Sequence, residues 1–464
     1  MERFDFKRKK MNKNNLFYFR IVLAVLVCLL WLFAGSMKAV DRYVVEPGTI
    51  DPAKSALPYN AWTNAATNIQ WAIDAAAAAA EPVWVSNGLY TLNSTLNIAN
   101  GSRVQSTNGA ALTVIDGNDA VRCVSISHAG AILDGFTVQR GRSDHAASIY
   151  ISGGTVQNCV IANNTSTNTT GTTGGGACFL GSGGSINNCT IISNKHTGGT
   201  SSAIGGGVRL YVSGTISNCT IRDNSSYYSG GVDTYGGGLV VNCTIASNSA
   251  TEGGGIRMSG GLGTFINCTI NGNSAYRGGG MHSYYQAGSL YQNCLFLNNY
   301  ATNNGGGIYN PGGGNFKNCT VASNNCGGRG GGAVYIQHAS GPALVENTII
   351  YHNTAGTAAY SNIYNYVGSG NPDAIYTNCC TAPTNMIQAG YNTACIESCP
   401  QFVAPQTADY HLTNTSPCVN AGINREWMAN AVDLDGRRRL DGFNNMVDMG
   451  CYEHVPGGIL FSVR

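Results

Sequence analysis

The chain has 464 residues, with 62 glycines, 17 cysteines, 11% charged residues and a formal net charge of +2. That length allows two or more ordinary domains or one long solenoid with caps, while the sparse and balanced charge argues against a nucleic-acid binder, which needs a basic stripe. Glycine at this level would signal disorder if it were aperiodic, but here it recurs on a period and alternates with Ile, Val and Tyr.

Residues 1–39 read as a signal peptide. A basic lead, Lys7-Arg8-Lys9-Lys10 on to Arg20, precedes an apolar run from Ile21 to Ala34 of 14 residues, short for a membrane span and normal for a signal-peptide core. Ala34-Gly35-Ser36 and Met37-Lys38-Ala39 both offer small residues for cleavage, Met11 is a second possible start, and an uncleaved anchor is the alternative. Cys28 follows Leu26-Val27 as in a degenerate lipobox, yet it sits mid-run with no small residue before it, which counts against lipidation. The expected location is extracellular or at the cell surface, outer-membrane-associated. Membrane contact is expected only through the leader or an unidentified anchor, with the remaining cysteines in a disulfide-permissive compartment.

Residues 40–125 are expected to form an N-terminal cap and the first coils. Asn64 to Ala80 places Ala65, Ile69, Ile73 and Ala76 on one face of a short amphipathic helix. Val83-Trp84-Val85 reads as a strand, Gly88-Leu89-Tyr90 as a turn, and Leu92, Leu96 and Ile98 continue the apolar pattern. A helix laid over the open end of a stacked β structure covers its unpaired strand groups.

Residues 126–370 carry a repeat. The phrase Asn-Cys-Thr-Ile or a close variant stands at Asn158, Asn188, Asn218, Asn242 and Asn267, with looser copies at Asn293, Asn318 and Asn347. Successive cysteines, Cys159, Cys189, Cys219, Cys243, Cys268, Cys294 and Cys319, are 30, 30, 24, 25, 26 and 25 residues apart. Five residues after each Cys position stands an Asn: Asn164, Asn194, Asn224, Asn248, Asn273, Asn299, Asn324 and Asn353. Glycine clusters separate the phrases, and no segment holds a helical apolar period. The fold class read from this is all-β, a right-handed parallel β-helix of three-strand coils about 25 residues long. Coils stack about 4.8 Å apart, with an N-terminal helical cap and an irregular C-terminal cap. The Asn five after each Cys is expected to form a stacked amide ladder. The Cys row is expected to be a buried thiol stack, because ligands spread along a rod do not converge on a metal.

These phrases resemble the polymorphic outer-membrane-protein and right-handed β-helix repeat families, which share the pectin-lyase-like fold. The resemblance covers roughly Asp134 to Asn353. It implies fold more than activity, since that fold hosts lyases, hydrolases, tailspikes and adhesins.

Residues 371–464 form the C-terminal region. Ser416-Pro417-Cys418-Val419-Asn420-Ala421-Gly422, Asp433-Leu434-Asp435-Gly436-Arg437 and Val447-Asp448-Met449-Gly450-Cys451-Tyr452-Glu453 resemble the choice-of-anchor Q region that closes many secreted bacterial β-helix proteins. The chain departs from that pattern in having only His454 to Arg464 afterwards, with no apolar tail. Asp433, Asp435, Asp441, Asp448 and Glu453 can be read as calcium ligands or as turn and arginine-pairing residues, and the second is favoured by Arg437 to Arg439. Cysteines outside the repeat are candidates for disulfides: Cys379 or Cys380 with Cys395 or Cys399, and Cys418 with Cys451.

Chemistry inside the repeats is thin. Between Tyr150 and Ile350 the carboxylates are Asp223, Asp233, Glu252 and Glu346, which do not recur at one repeat position. Counting two residues past each glycine cluster gives one row, Cys178, Arg209, Asp233, Arg257, His282, Tyr309 and Val334. Its centre, Arg209, Asp233, Arg257 and His282, flanked by Tyr211, Tyr235, Tyr284 and Tyr285, is expected as an exposed stripe. Such a stripe suits a polysaccharide or surface glycan; an ordinary solvated face with a cross-coil ion pair is the plainer reading. The function expected is a non-enzymatic binding and adhesion scaffold without a cofactor. The alternative is a polysaccharide-degrading enzyme of pectate-lyase type, a lyase or glycoside hydrolase, with Arg257 as base beside Asp233 and calcium as its metal.

Overall fold

The computed structural model describes residues 40–76, 81–167, 175–197, 204–284, 288–310, 313–328, 330–337, 342–366, 374–384, 387, 390–440 and 446–455. The expected signal peptide, Tyr285 and Asp441 lie outside the described residues.

The chain winds as a right-handed parallel β-helix. Each coil contributes one short strand to each of three long sheets. Among the described residues, sheet A has 14 strands, from Arg42–Val44 to Asn392–Thr393. Sheet B has 12, from Gly88–Thr91 to Cys380–Thr381, and sheet C has 11, from Leu96–Ile98 to Ile363–Tyr366. Sheet D is a shorter fourth ribbon, in two pieces that begin at Arg142–Ser143 and Ser249–Glu252. Pairing is parallel and in register, so side chains at one repeat position form a line along the axis.

That register explains the core. Sheet B turns Ile161, Ile191, Ile221, Ile245, Ile270 and Phe296 inward, and sheet A turns in Val240, Phe265, Tyr291 and Phe316, the last three as a ring stack. The cysteines Cys159, Cys189, Cys219, Cys243, Cys268, Cys294 and Cys319 lie buried in the same core as free thiols, each donating to the carbonyl two residues earlier. Burial pushes the Cys294 thiol well above its ordinary range.

Two asparagine ladders run beside this core. The buried one contains Asn164, Asn194, Asn224, Asn248, Asn273, Asn299, Asn324 and Asn353 and ends on Asn362. From Asn194 on, each Oδ1 accepts the backbone N–H and the Nδ2 of the preceding copy, as Asn248 does from Asn224 at 3.0 and 3.0 Å, while Asn164 Oδ1 accepts from Gly141 N. The other is the first residue of the phrase itself. Asn158, Asn188, Asn218 and Asn242 are exposed and hold φ of 50–53° at the corner between sheets A and B. Asn tolerates that left-handed corner better than branched residues.

At the N-terminal end a seven-residue helix, α1, spans Ile69–Ala75, and the Asn68 side chain accepts from Gln70 N at 2.8 Å. It buries Ile69, Ala72 and Ile73 against the first strands of sheets A and C. The helix is shorter than the 64–80 stretch expected because Asn68 caps it four residues later than the sequence reading began it.

The C-terminal region does more than close the far end. From Phe402 onward it folds back along the outside of sheet B as a lateral flap. Its hairpin, Phe402–Ala404 with Asp409–Leu412, and residues Cys418, Met449 and Cys451 cover Leu295, Leu297, Ala322 and Ile349. In uncovered coils the outward positions of sheet B are Thr220 and Arg222, Thr244 and Ala246, Thr269 and Asn271. Exposed-ladder asparagines of the covered coils grip the flap backbone: Asn293 Nδ2 donates to Val432 O, Asn318 to Asp448 O, Asn347 to Ile423 O and Asn378 to Ala421 O, at 2.7–3.2 Å.

Within the flap the acidic residues serve turns and arginines. Asp433 accepts from Asp435 N, Arg437 N and Glu453 N; Asp448 accepts from Asn420 N and His454 N; Glu453 takes the buried Arg439 guanidinium at 2.7 Å. Cys380, Cys399, Cys418 and Cys451, the candidates for disulfides, stand as free thiols in this structure. Cys451 N donates to the Thr320 hydroxyl at 3.1 Å, and Cys380 Sγ donates to Ser398 O at 3.2 Å.

Candidate functional site

The row on sheet C is real at its centre, and the register of sheet C redraws its ends. Outward positions run Tyr150, Phe179, Arg209, Asp233, Arg257, His282, Tyr309, Tyr335 and Tyr364. Cys178 and Val334 pair with Val208 and Ile308, which point inward. The count slipped because Ala177 and Ala333 occupy the last glycine position of their coils, so counting from the last Gly lands one residue early. Elsewhere that position needs glycine: a Cβ on Gly255 would sit 2.6 Å from Gly280 O of the next coil.

The expected exposed stripe is instead a buried clasp. Arg209 is 2% exposed, Asp233 0% and His282 1%. Asp233 sits between two guanidiniums, Arg209 Nε at 3.2 Å and Arg257 Nη1 at 3.5 Å, and accepts the Ser259 hydroxyl at 3.1 Å. Tyr211 and Tyr235 rings lie 5.4 and 5.5 Å from the Arg209 guanidinium, and Tyr228 and Tyr284 flank that of Arg257 at 4.4 and 5.7 Å. Charges that leave water need partners of this kind.

A second row supplies the missing partners. The residue just before each glycine cluster stacks as Ile204, Tyr228, Glu252, Arg277 and Asn304 along the sheet D side. Across the glycine corner, Glu252 meets Arg257 Nε at 3.6 Å and His282 Nδ1 at 3.4 Å, and Arg277 lies 5.8 Å from the Tyr309 ring. The sequence carried a signal for this row, since each member precedes a Gly-Gly or Ser-Gly-Gly run at constant phase, but no two members share a chemistry that marks it. Burial alone would raise Glu252, yet the His282 hydrogen bond and the charges of Arg257 and Arg277 hold it below the usual carboxylate range. Burial lowers His282 against the pull of Glu252, so the ring is neutral near pH 7.

The aromatic side chains form stacks along the axis. Tyr150, Phe179, Tyr211 and Tyr235 are stacked at centroid spacings of 5.6, 5.4 and 5.1 Å, and Tyr309, Tyr335 and Tyr364 at 5.0 and 4.9 Å. Rings stacked on each other spend their faces internally. They are therefore not the open platforms that the sequence reading assumed. Tyr235 is the most open of them, 45% exposed. Asp223 pairs with Arg222 and Glu346 with Arg425 of the flap, so neither joins the cluster. Among the described residues no group of three or more His, Cys, Asp or Glu side chains is placed to hold a metal ion.

The family profile described as a right handed beta helix region matches residues 206–371. Among solved structures, the chain is similar to the pectate lyase Pel9A with 14% identity and a TM-score of 0.50, over 89% of this chain and 96% of that one. It is also similar to the A-module of the mannuronan C-5 epimerase AlgE6 from Azotobacter vinelandii, at 12% identity and a TM-score of 0.30, over 68% of this chain and 94% of that one. No curated protein sequence matches.

Proposed function

The chain is a right-handed β-helix repeat protein of the pectin-lyase-like fold, and on that footing we propose that it is an exported, non-enzymatic scaffold that binds a polysaccharide. The observation that carries this reading is the unbroken outward line of sheet C, from Tyr150 through Arg209 and Arg257 to Tyr364. Phenol edges there flank a buried cationic centre over nine coils. Nine coils give a straight line about 40 Å long, suited to an extended chain lying parallel to the axis. Recognition would run through the row of tyrosine hydroxyls and the open ring of Tyr235, with Arg257 and Arg277 as charge-assisted donors behind them. The fold shared with Pel9A, a pectate lyase by name, is compatible with a polysaccharide partner.

A lyase is the second reading. What favours it is Arg257 held between Asp233 and Glu252 with neutral His282 alongside. Incubation with a polysaccharide panel, with and without calcium, separates the two. The scaffold reading expects retention of at least one polysaccharide with no new unsaturated or reducing ends. New ends would favour the lyase, and no retention across the panel would reject both.

A further inference from the structure

We propose that the cleft between the C-terminal flap and the last uncovered coils of sheet B is a binding site for an uncharged saccharide, separate from the sheet C line. The flap reaches past the strip that it covers. Its contact with the sheet ends at Asn293 and Leu295, and the outward residues in line with Leu295 on the preceding coils are Thr269 and Thr244. Across from these two threonines, residues 432–436 and Tyr452 stand off the sheet and enclose a cleft of about 550 Å³, within the roughly 300–1,000 Å³ usual for small-molecule sites. Where the flap lies flat on the sheet, the outward side chains are Leu295, Leu297 and Ile349, or Thr320, whose hydroxyl is taken by Cys451 N at 3.1 Å. Where it stands off, they are threonine and asparagine. A gap left by poor packing would have apolar walls; this one is lined by groups that hydrogen-bond.

Those groups are open. The exposed asparagine row breaks at the cleft: Asn242 Nδ2 donates away from it to Asn218 at 3.3 Å, and Asn267 Oδ1 accepts from Asn293 on the far side at 3.0 Å. Asn242 Oδ1 and Asn267 Nδ2, one acceptor and one donor on adjacent coils, have no partner among the described residues. The hydroxyls of Thr244 and Thr269 stand beside them. On the flap side, Asp435 Oδ2 is held by His411 Nε2 at 2.7 Å, which fixes the carboxylate and leaves its second oxygen to the cleft. The Tyr452 ring forms a wall, backed by the His411 ring at a centroid distance of 4.1 Å. Alternating donors and acceptors around an aromatic wall suit a ring bearing hydroxyls, each of which donates and accepts. Charge selects among such rings. Among the described residues that line the cleft none is Lys, Arg or His, whereas Asp433 and Asp435 are both present. A uronate or sulfated sugar would meet Asp435 as a like charge. The cleft therefore differs in preference from the sheet C line, with its cationic centre.

The test titrates the full chain calorimetrically with cellotetraose, mannotetraose, chitotetraose and, as the acidic comparison, tetragalacturonate. At least one of the three uncharged tetrasaccharides should bind, and tetragalacturonate should bind at least about tenfold more weakly. The double variant Thr244→Val, Thr269→Val keeps the shape of two outward strand positions and removes both hydroxyls; it should weaken that binding about tenfold or more. Asp435→Asn should narrow the gap between uncharged and acidic tetrasaccharides, a change that a purely structural role would not produce. On the unsubstituted chain, the bound tetrasaccharide should protect Tyr452 from hydroxyl-radical oxidation. The proposal is overturned by an absence of binding to all three uncharged probes, by equal or tighter binding of tetragalacturonate, by unchanged affinity in the threonine double variant, or by Tyr452 oxidised equally with and without the probe. Polysaccharide retention that depends on Tyr235 but not on Thr244 and Thr269 would leave the sheet C reading standing while these results overturn the cleft.

Discussion

Asparagine does two jobs in each coil, and only one depends on burial. Asn248 accepts from Asn224 N and Nδ2 and donates to Ile221 O and Asn273 Oδ1. Asn248→Ala would orphan several buried groups at once and is expected to cost about 3 kcal/mol. Asn188→Ala removes no buried partner but asks alanine for a φ of 50°; it is expected to cost about 1 kcal/mol, and Asn188→Gly close to none. Urea denaturation of the three variants checks the ranking. Asp233 is the other residue on which much depends. Asp233→Asn leaves Arg209 facing a neutral partner in a buried site and is expected to cost about 3–5 kcal/mol; a loss below about 1 kcal/mol would mean that the clasp is solvated. The same burial means that Arg209→Ala, which leaves Asp233 with one guanidinium fewer, is expected to lower stability too. The identities of the clasp residues were legible in the sequence because they share one phase of the repeat. Their burial was not, because Tyr228 and Glu252, which close over Arg257, sit at another phase.

At the scale of elements, the flap is the part that sequence periodicity describes least. Its docking strip was nonetheless written in the looser phrases: Leu295 stands where Thr269 and Thr244 stand in uncovered coils. A leucine at an outward position is a covered position, and Leu297→Ala is expected to release the flap to proteolysis while the β-helix signal in circular dichroism stays unchanged. The flap should also respond to pH. His411 Nδ1 lies 2.6 Å from Asp409 and Nε2 2.7 Å from Asp435, an arrangement that uses both ring protons. Burial alone would lower His411, but these two carboxylates outweigh it and the pKa is raised. Glu453 is pushed up to about 8, first by burial and then by Asp448, against the pull of Arg439. Both groups hold their proton more tightly folded than unfolded. Their stabilisation is therefore complete below the ordinary values of 6.5 and 4.5 and is lost as pH rises, through about 8 for Glu453. Limited proteolysis should find the flap protected at about pH 6 and cut faster at about pH 9. His411→Gln should flatten the lower part of that change.

At the scale of the whole molecule, a solenoid makes one repeat position into one line, and that is why so much of the fold was readable from a phrase spaced 24–30 residues apart. Lines that coincide with a conspicuous residue, the cysteines and the two asparagine rows, were visible at once. The line of sheet C was recovered only over the coils in which a glycine stands two residues before it and was lost where alanine takes that place. The proposed activity depends on that line as a surface, so the most direct test is hydroxyl-radical footprinting of tyrosine and tryptophan side chains with and without a retained polysaccharide. Protection is expected at Tyr235 and along the sheet C tyrosines, with Trp71 of the N-terminal cap, 50% exposed, unchanged. Protection confined to Trp71 or the flap, with Tyr235 oxidised equally in both samples, would contradict the account.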